Sequence, residues 1–222
     1  MRAILSVSSV STESHENKRL EKSSESSDNG NMRASPIPER RFNEKKTTQA
    51  AARFLALAGG RMNYMLLIKL LYLLDRRALG LWGRPVTGDD YFSMKYGPVL
   101  SEVLDLITDM PDPTGAGYWA KHISEPAHYV VELAADPGDD ELSEAEEEVI
   151  EAIFEKFGAY NQFDLAAHLH QMLEEWQPVE HGRIPITYGD ILKAIKKSPE
   201  EIEAIEEELS ALSRVERMFT PR

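Results

Sequence analysis

The sequence predicts a mainly α domain with a small β element, an α+β fold built as one compact helical body. Three observations predict it. The stretch MNYMLLIKLLYLLDRRALG, from Met62 to Gly80, is apolar nearly all round, the mark of a helix packed on several sides. Two later segments, opening at Ser143 and Ser198, each carry a capping residue followed three places on by glutamate. Strand-like alternation is confined to short pieces, YFSMKYGPV and the two stretches flanking EPA.

Composition sets the outer limits. The chain has 222 residues and 42% hydrophobic content, room for one domain with an appendage. Its first part, with ESHENKRLEKSSESSDNGN, is too polar to offset the entropy of ordering, so residues 1–45 are expected to form a disordered tail. Residues 46–197 are expected to form the main domain. Residues 198–222 are expected to form an amphipathic helix packed on it or extending it. Met32 is a candidate translation start close before the compact part. There is no cysteine, which fits a reducing cytoplasm and leaves no thiolate chemistry. The longest apolar run, Met62 to Leu74, is too short for a bilayer and contains Lys69.

The net charge of −13 is unevenly placed. Residues 136–208 carry five basic and twenty-one acidic side chains, or −16, while 1–46 carry +2 and 47–135 carry −1. Such a field repels a phosphate backbone and argues against direct binding of nucleic acid. It suits a basic protein partner.

Taken in order, TTQAAARFLALAGG reads as a short helix capped by Thr47 and stopped by Gly59-Gly60. The buried helix follows, with Arg76 and Arg77 in its last turn and Gly80 as its left-handed stop. LWGRPVTGDD is a loop and YFSMKYGPV a short extended piece. Pro98 then fits the first turn of a helix PVLSEVLDLITDM, with Gly97 turning the corner. PDPTGAG is a loop, and YWAKHIS with HYVVELA reads as a β-hairpin. The helix from Ser143 turns Val149, Ile150, Ile153, Phe154 and Phe157 inward. Helices around FDLAAHLHQMLEEW and YGDILKAI follow. The last helix is capped by Ser198 and Pro199, with Ile202, Ile205, Leu209, Leu212 and Val215 as its buried stripe.

The chain is poor in catalytic signatures. His168 and His170 lie about 200° apart around a helix axis and cannot share a metal. Asp164 with His168 and His170 with Glu174 have the four-residue spacing, but zinc needs further ligands, of which Glu180 and His181 are nearest. A structural or capping role fits these histidines better, and a hydrolase using them is the weaker reading. Ser101 lacks the strand-elbow pattern of a nucleophile. There is no P-loop, dinucleotide fingerprint or metalloprotease helix. No cofactor or catalytic residue is expected. A winged-helix regulator would need PVLSEVLDLITDM as its recognition helix, and that segment has three acids and no base. Lys69 is the odd residue in its helix. Its amine either snorkels to water or meets a buried carboxylate or carbonyl end, with Tyr72 on the same face.

Taken together, KLLYLLDRRALGLWGRPVTGDDYFSMKYGPVLSEV resembles the Panacea domain, the SocA-like antitoxin family also called phage-associated protein. The residues carrying the resemblance are Lys69, Leu70 and Tyr72; Gly83, Pro85 and Thr87; and Tyr96, Gly97, Pro98 and Val99. FDLAAHLHQMLEEWQP is similar to a later family helix, matching Leu165 or Leu169, His168 or His170, and Trp176. The similarity spans about residues 47–195. It implies a bacterial or prophage antitoxin that neutralises a co-encoded toxin by direct binding. A second implied route is a proteolytic adaptor that delivers the toxin to a ClpXP-type protease. No catalytic residue belongs to the pattern, and the motif residues are expected to shape the fold. Contact with a basic toxin is expected from exposed acids of the last long helices, Glu144, Glu147, Glu148, Glu151, Glu203 and Glu207, and from the tail.

Overall fold

In the computed structural model the described residues are 42–108 and 117–219; the tail and most of the PDPTGAG loop lie outside them. Eight helices and five short strands follow one another in these segments, the mainly α architecture with minor β structure that the sequence predicts. None of the described helices is long and apolar enough to cross a membrane.

The organising element is α2, Tyr64–Trp82. Asn63 caps it by accepting from the Met65 N–H at 2.9 Å. The helix does not stop at Gly80. It runs to Trp82, and Gly83 supplies the left-handed cap at φ 68°. Arg76 and Arg77 therefore sit a turn or more inside the helix. Twelve of its residues are buried, so neighbours surround it: α1 (Glu44–Leu57), α5 (Glu144–Phe157), α6 (Gln162–Met172), α7 (Tyr188–Ala194) and strand β3 (Gly97–Leu100). The first helix, α1, begins four residues earlier than a Thr47 cap implies. Asn43 caps it, accepting from the Lys46 N–H at 3.0 Å, and Thr47 is fully buried within the helix.

Two small antiparallel sheets flank this bundle. In the larger, β2 (Tyr91–Met94) lies between β3 and β5 (Ile184–Ile186). Pro98 thus sits in a strand, opposite Ser93, and not at the start of a helix. Because β3 is an edge strand, a residue without an N–H is tolerated there. Helix α3 opens three residues later, at Ser101, and runs to Thr108. Its first N–H groups are met from outside. The Asp89 carboxylate accepts from Glu102 and Val103, both at 2.9 Å.

The second sheet corrects the expected hairpin. Tyr118–His122 is a short helix, α4, whose Trp119 N–H is capped by the Glu44 carboxylate at 2.9 Å. Strand β4 (Val130–Glu132) pairs with β1 (Arg61–Asn63). Only the Ile123–Leu133 bridge joins the two halves of the expected ribbon, outside its turn. Trp119 on α4 and Ile123, the extended residue that ends it, are both buried, and that burial outweighs the local alternation.

Two starts match the sequence closely. Ser143 and Glu146 cap α5 reciprocally, and Glu146 also pairs with Lys46 at 2.8 Å. Ser198 and Glu201 do the same at α8 (Pro199–Phe219). The stripe of α8 is only half covered. Ile202 is buried and Ile205 packs against Gly83, but Leu212 and Val215 are 48% and 51% exposed. A periodic stripe states what a helix could bury, not what lies opposite.

The loop from α2 to β2 hangs on one buried acid. Asp75 accepts from the Val86 and Thr87 N–H groups at 2.7 and 2.9 Å, from the Thr87 hydroxyl, and from the Tyr91 hydroxyl at 2.9 Å. We expect Asp75→Ala to cost about 3 kcal/mol or more, since it strips the acceptor from two buried N–H groups. Asp75→Asn, which keeps one acceptor oxygen, is expected to cost less. Urea denaturation of both variants measures the difference; a cost under about 1 kcal/mol for Asp75→Ala would mean the carboxylate is not the organiser.

Candidate functional site

Lys69 lies mid-way along α2 and is 2% exposed. Its burial contradicts the expected snorkelling to water; of the other expected partners it meets no carboxylate among the described residues and is left with a backbone carbonyl. Its Nζ reaches only the Met65 carbonyl of its own helix, at a long 3.5 Å. Burial alone lowers its pKa from 10.5 to about 8. At neutral pH it is a buried cation with little compensation.

The β2–β3 hairpin closes over this amine. Its two-residue turn, Lys95-Tyr96, returns at Gly97, where φ is +103°. A Cβ at Gly97 would stand 3.3 Å from Lys69 Cε, 3.8 Å from Lys69 Nζ and 3.9 Å from His170 Nε2. The corner therefore needs glycine twice over, for its backbone conformation and for the close approach. The Gly-Pro step is where a strand passes over a buried lysine.

On the far side of Gly97, His170 stacks face to face on Trp176, with ring centroids 3.7 Å apart. Trp176 Nε1 donates to the Met94 carbonyl at 3.2 Å, and the Gln177 N–H donates to Ser93 Oγ at 3.1 Å. These bonds tie the end of α6 across β2. Glu175, just before them, accepts from Tyr72 Oη at 2.9 Å and Arg76 Nε at 2.6 Å. One face of α2, carrying Lys69, Tyr72 and Arg76, is thus read by the hairpin and the α6 tail together. Burial and the nearby Lys69 charge hold the His170 pKa down, and its Nε2 has no hydrogen-bond partner among the described residues.

Above Lys69 lies a cavity of about 470 Å³, lined by Tyr64, Lys69, Tyr96, Gly97, Val99 and Tyr129 among others. Its rim is aromatic and exposed. Tyr96 is 49% and Tyr129 63% exposed, and Tyr96 stands edge-on to the equally open Phe163, 6.5 Å away. Tyr129 contacts Tyr64 at 5.9 Å. It occupies the tight turn Ala127–Val130, closed by backbone bonds of 2.8 and 3.0 Å, in which His128 and Tyr129 both have positive φ, 52° and 66°. A bulky residue held there is strained and displayed to solvent. A larger depression of about 610 Å³ between α2 and α5 has Arg76, Arg77, Glu148 and Lys156 on its walls. Its charges are mixed, and no buried group converges on it.

The residues singled out in the sequence separate into groups. Lys69, Tyr96, Gly97 and Val99 meet at the cavity. Tyr72 and Trp176 hold its supporting frame. Leu70 is core, Gly83 caps α2, Pro85 lies in the following loop, and Thr87 serves Asp75. Pro98 pairs with Ser93 beside the site. Of the two histidines, His170 belongs to this cluster, whereas His168 lies against Phe157 and Tyr160. No group of three histidines or acids among the described residues could hold a metal ion. The acids Glu144, Glu147, Glu148, Glu151, Glu203 and Glu207 lie on α5 and α8, away from the cavity, and Glu151 is paired with Arg53. Sequence reasoning missed Asp75, Asp89, Glu175 and Tyr129. The first three could be flagged as acids amid apolar or turn residues; nothing local marks a tyrosine at positive φ.

The Lys69 titration gives a test of this geometry. Folding lowers its pKa, so between about 8 and 10.5 the unfolded chain binds more protons and stability rises with pH. We expect the wild type to gain about 3 kcal/mol relative to Lys69→Met between pH 7 and 10.5, read by urea denaturation. A difference that stays constant over this range would mean the amine is not buried as a cation.

No curated protein and no solved structure matches the chain. A protein family does. The antitoxin SocA-like, Panacea domain family matches residues 67–177, half of the chain, from the first buried turns of α2 through the stacked Trp176. The match takes in Lys69, the hairpin with Gly97, the Tyr129 turn and the His170–Trp176 pair, and the chain belongs to that antitoxin family.

Proposed function

We propose that this chain neutralises a co-encoded toxin by binding it directly, with the aromatic rim around the Lys69 cavity as the anchoring surface. The observation that carries this reading is the exposed set Tyr96, Tyr129 and Phe163, which lies within the family-matched residues. Monomeric surfaces seldom cluster large aromatics without a partner to cover them. Tyrosine also gives much contact area for little loss of side-chain freedom, which favours it in the centre of interfaces. The strain at Tyr129 supports the same reading, because it keeps an aromatic ring outside the core at a cost in stability.

The acids have a complementary role in this reading. Glu144, Glu147, Glu148, Glu151, Glu203 and Glu207 sit in the −16 segment, whose field draws in a basic toxin from a distance. Anchors then set how long the complex lasts, and charges how fast it forms. The N-terminal tail would add a further arm to the contact.

Co-expression with each neighbouring reading frame tests the proposal. One neighbour is expected to arrest growth alone and to be tolerated with this chain. Tyr96→Ala, Tyr129→Asn and Phe163→Ala should each weaken the complex about 10- to 100-fold; the first and third should leave the unfolding temperature nearly unchanged, and Tyr129→Asn should raise it by relieving the positive-φ strain. Reversing Glu203 and Glu207 to lysine should slow association at low salt and spare the dissociation rate. An unchanged toxin half-life in rescued cells indicates masking; a shortened one indicates delivery to a ClpXP-type protease. Failure of every neighbouring frame to be rescued contradicts the proposal.

A further inference from the structure

We propose that the cavity over Lys69 is a receptor for a single carboxylate group carried on an apolar or aromatic body. The inference stands apart from the antitoxin reading, because it rests on the contents of the cavity and not on the family.

Lys69, 2% exposed, is the one buried lysine among the residues lining the cavity, and the polar side chains next along its face of the helix, Tyr72 and Arg76, are already taken up by Glu175. Among the described residues the one hydrogen bond of the Lys69 amine is the 3.5 Å approach to the Met65 carbonyl, at the outer limit of such a bond. An ammonium has three donors to place, and a buried cation is costly until an anion meets it. Among the described residues no ion pair relieves it, and burial is the one cause of its lowered pKa. Beside the amine lies a pocket of about 470 Å³ that opens to solvent between the exposed rings of Tyr96 and Tyr129, so a ligand has a way in. Gly97 keeps that approach open, since any side chain there would press on Lys69 Cε.

The walls state what the anion should be attached to. Tyr64, Tyr96 and Tyr129 supply faces and edges for a flat or aliphatic group, with Ile68, Val99 and Leu104 between them. His170 lies close by, its Nε2 and the Lys69 amine both within 4 Å of where a Gly97 Cβ would stand, and it adds no negative charge. Lys95 and His181 add positive or neutral donors at the lining, and Glu180 is its one acid. A doubly charged phosphate would face Glu180 with only one buried amine to hold it, whereas a carboxylate matches one ammonium. The source is either an acidic side chain or chain end of a bound protein segment, or a free small acid.

The test uses the full-length chain and two pairs of probes. Phenylacetate is compared with neutral phenylacetamide, and acetyl-Gly-Asp-Phe-amide with acetyl-Gly-Asn-Phe-amide, by chemical-shift changes at the Tyr96, Gly97 and Tyr129 amides. At least one acid is expected to bind tenfold or more tightly than its neutral twin, and to lose that preference in Lys69→Met. Without any substitution, the same acid should protect Lys69 from acetylation by an N-hydroxysuccinimide ester, read by peptide mass spectrometry, and its neutral twin should not. A stronger preference in the peptide pair assigns the site to a protein segment, and a stronger one in the phenylacetate pair to a free acid. Equal binding of acid and neutral probes, no binding by either, or binding without protection of Lys69 would overturn the proposal.

Discussion

Everything in this fold follows from burying a helix that is not wholly apolar. Helix α2 is enclosed by α1, α5, α6, α7 and β3, yet it carries Lys69, Tyr72, Asp75 and Arg76. A polar group taken from water must find a partner inside or cost several kcal/mol. Each of these side chains therefore dictates what packs against it. Asp75 requires N–H and O–H donors, and the Val86–Tyr91 segment supplies them. Tyr72 and Arg76 require an acceptor, and the α6 tail supplies Glu175. Lys69 alone is left without an equal partner, and the cavity lies over it.

This accounts for the order in which the site is assembled. The Asp75 bonds fix the loop after α2, and Thr87 passes the constraint on by accepting from the Asp89 N–H at 3.1 Å. Asp89 in turn caps α3, which holds the return strand β3 in place. Burial pushes the Asp89 carboxyl up to about 7 against the three N–H groups bonded to it, a sign of how dry this junction is. From the other side, Glu175 fixes the position of Trp176, and Trp176 carries His170 with it. Gly97 lies where the two chains of constraint meet. The aromatic rim is then presented by elements that are themselves held from within.

How much of this was legible depends on how far apart the partners are in sequence. The starts of α5 and α8 were readable because Ser143–Glu146 and Ser198–Glu201 are closed within three residues. The burial of α2 was readable from its apolar circumference, and Lys69 stood out against it. The start of α3 was not readable, because its cap is Asp89, on the other side of the strand pair and 13 residues from Glu102, whose N–H is the first of the helix that it accepts. Local reading therefore made Pro98 a helix opener, where the sheet makes it an edge residue. The short helix Tyr118–His122 was misread for the same reason, since Glu44 caps it from 75 residues away. Tyr129 could not be found at all: its importance lies in a backbone angle that the sequence gives no cause to expect.

Native-state hydrogen exchange measures the central constraint most directly. Val86 and Thr87 lie in a loop, but their amides bond to a carboxylate fully buried in α2. If α2 organises the molecule through its polar side chains, these two amides exchange as slowly as the Leu70 and Leu71 amides of the helix centre, through global unfolding. Exchange at the rate of an open loop, with the α2 amides still protected, would contradict that account.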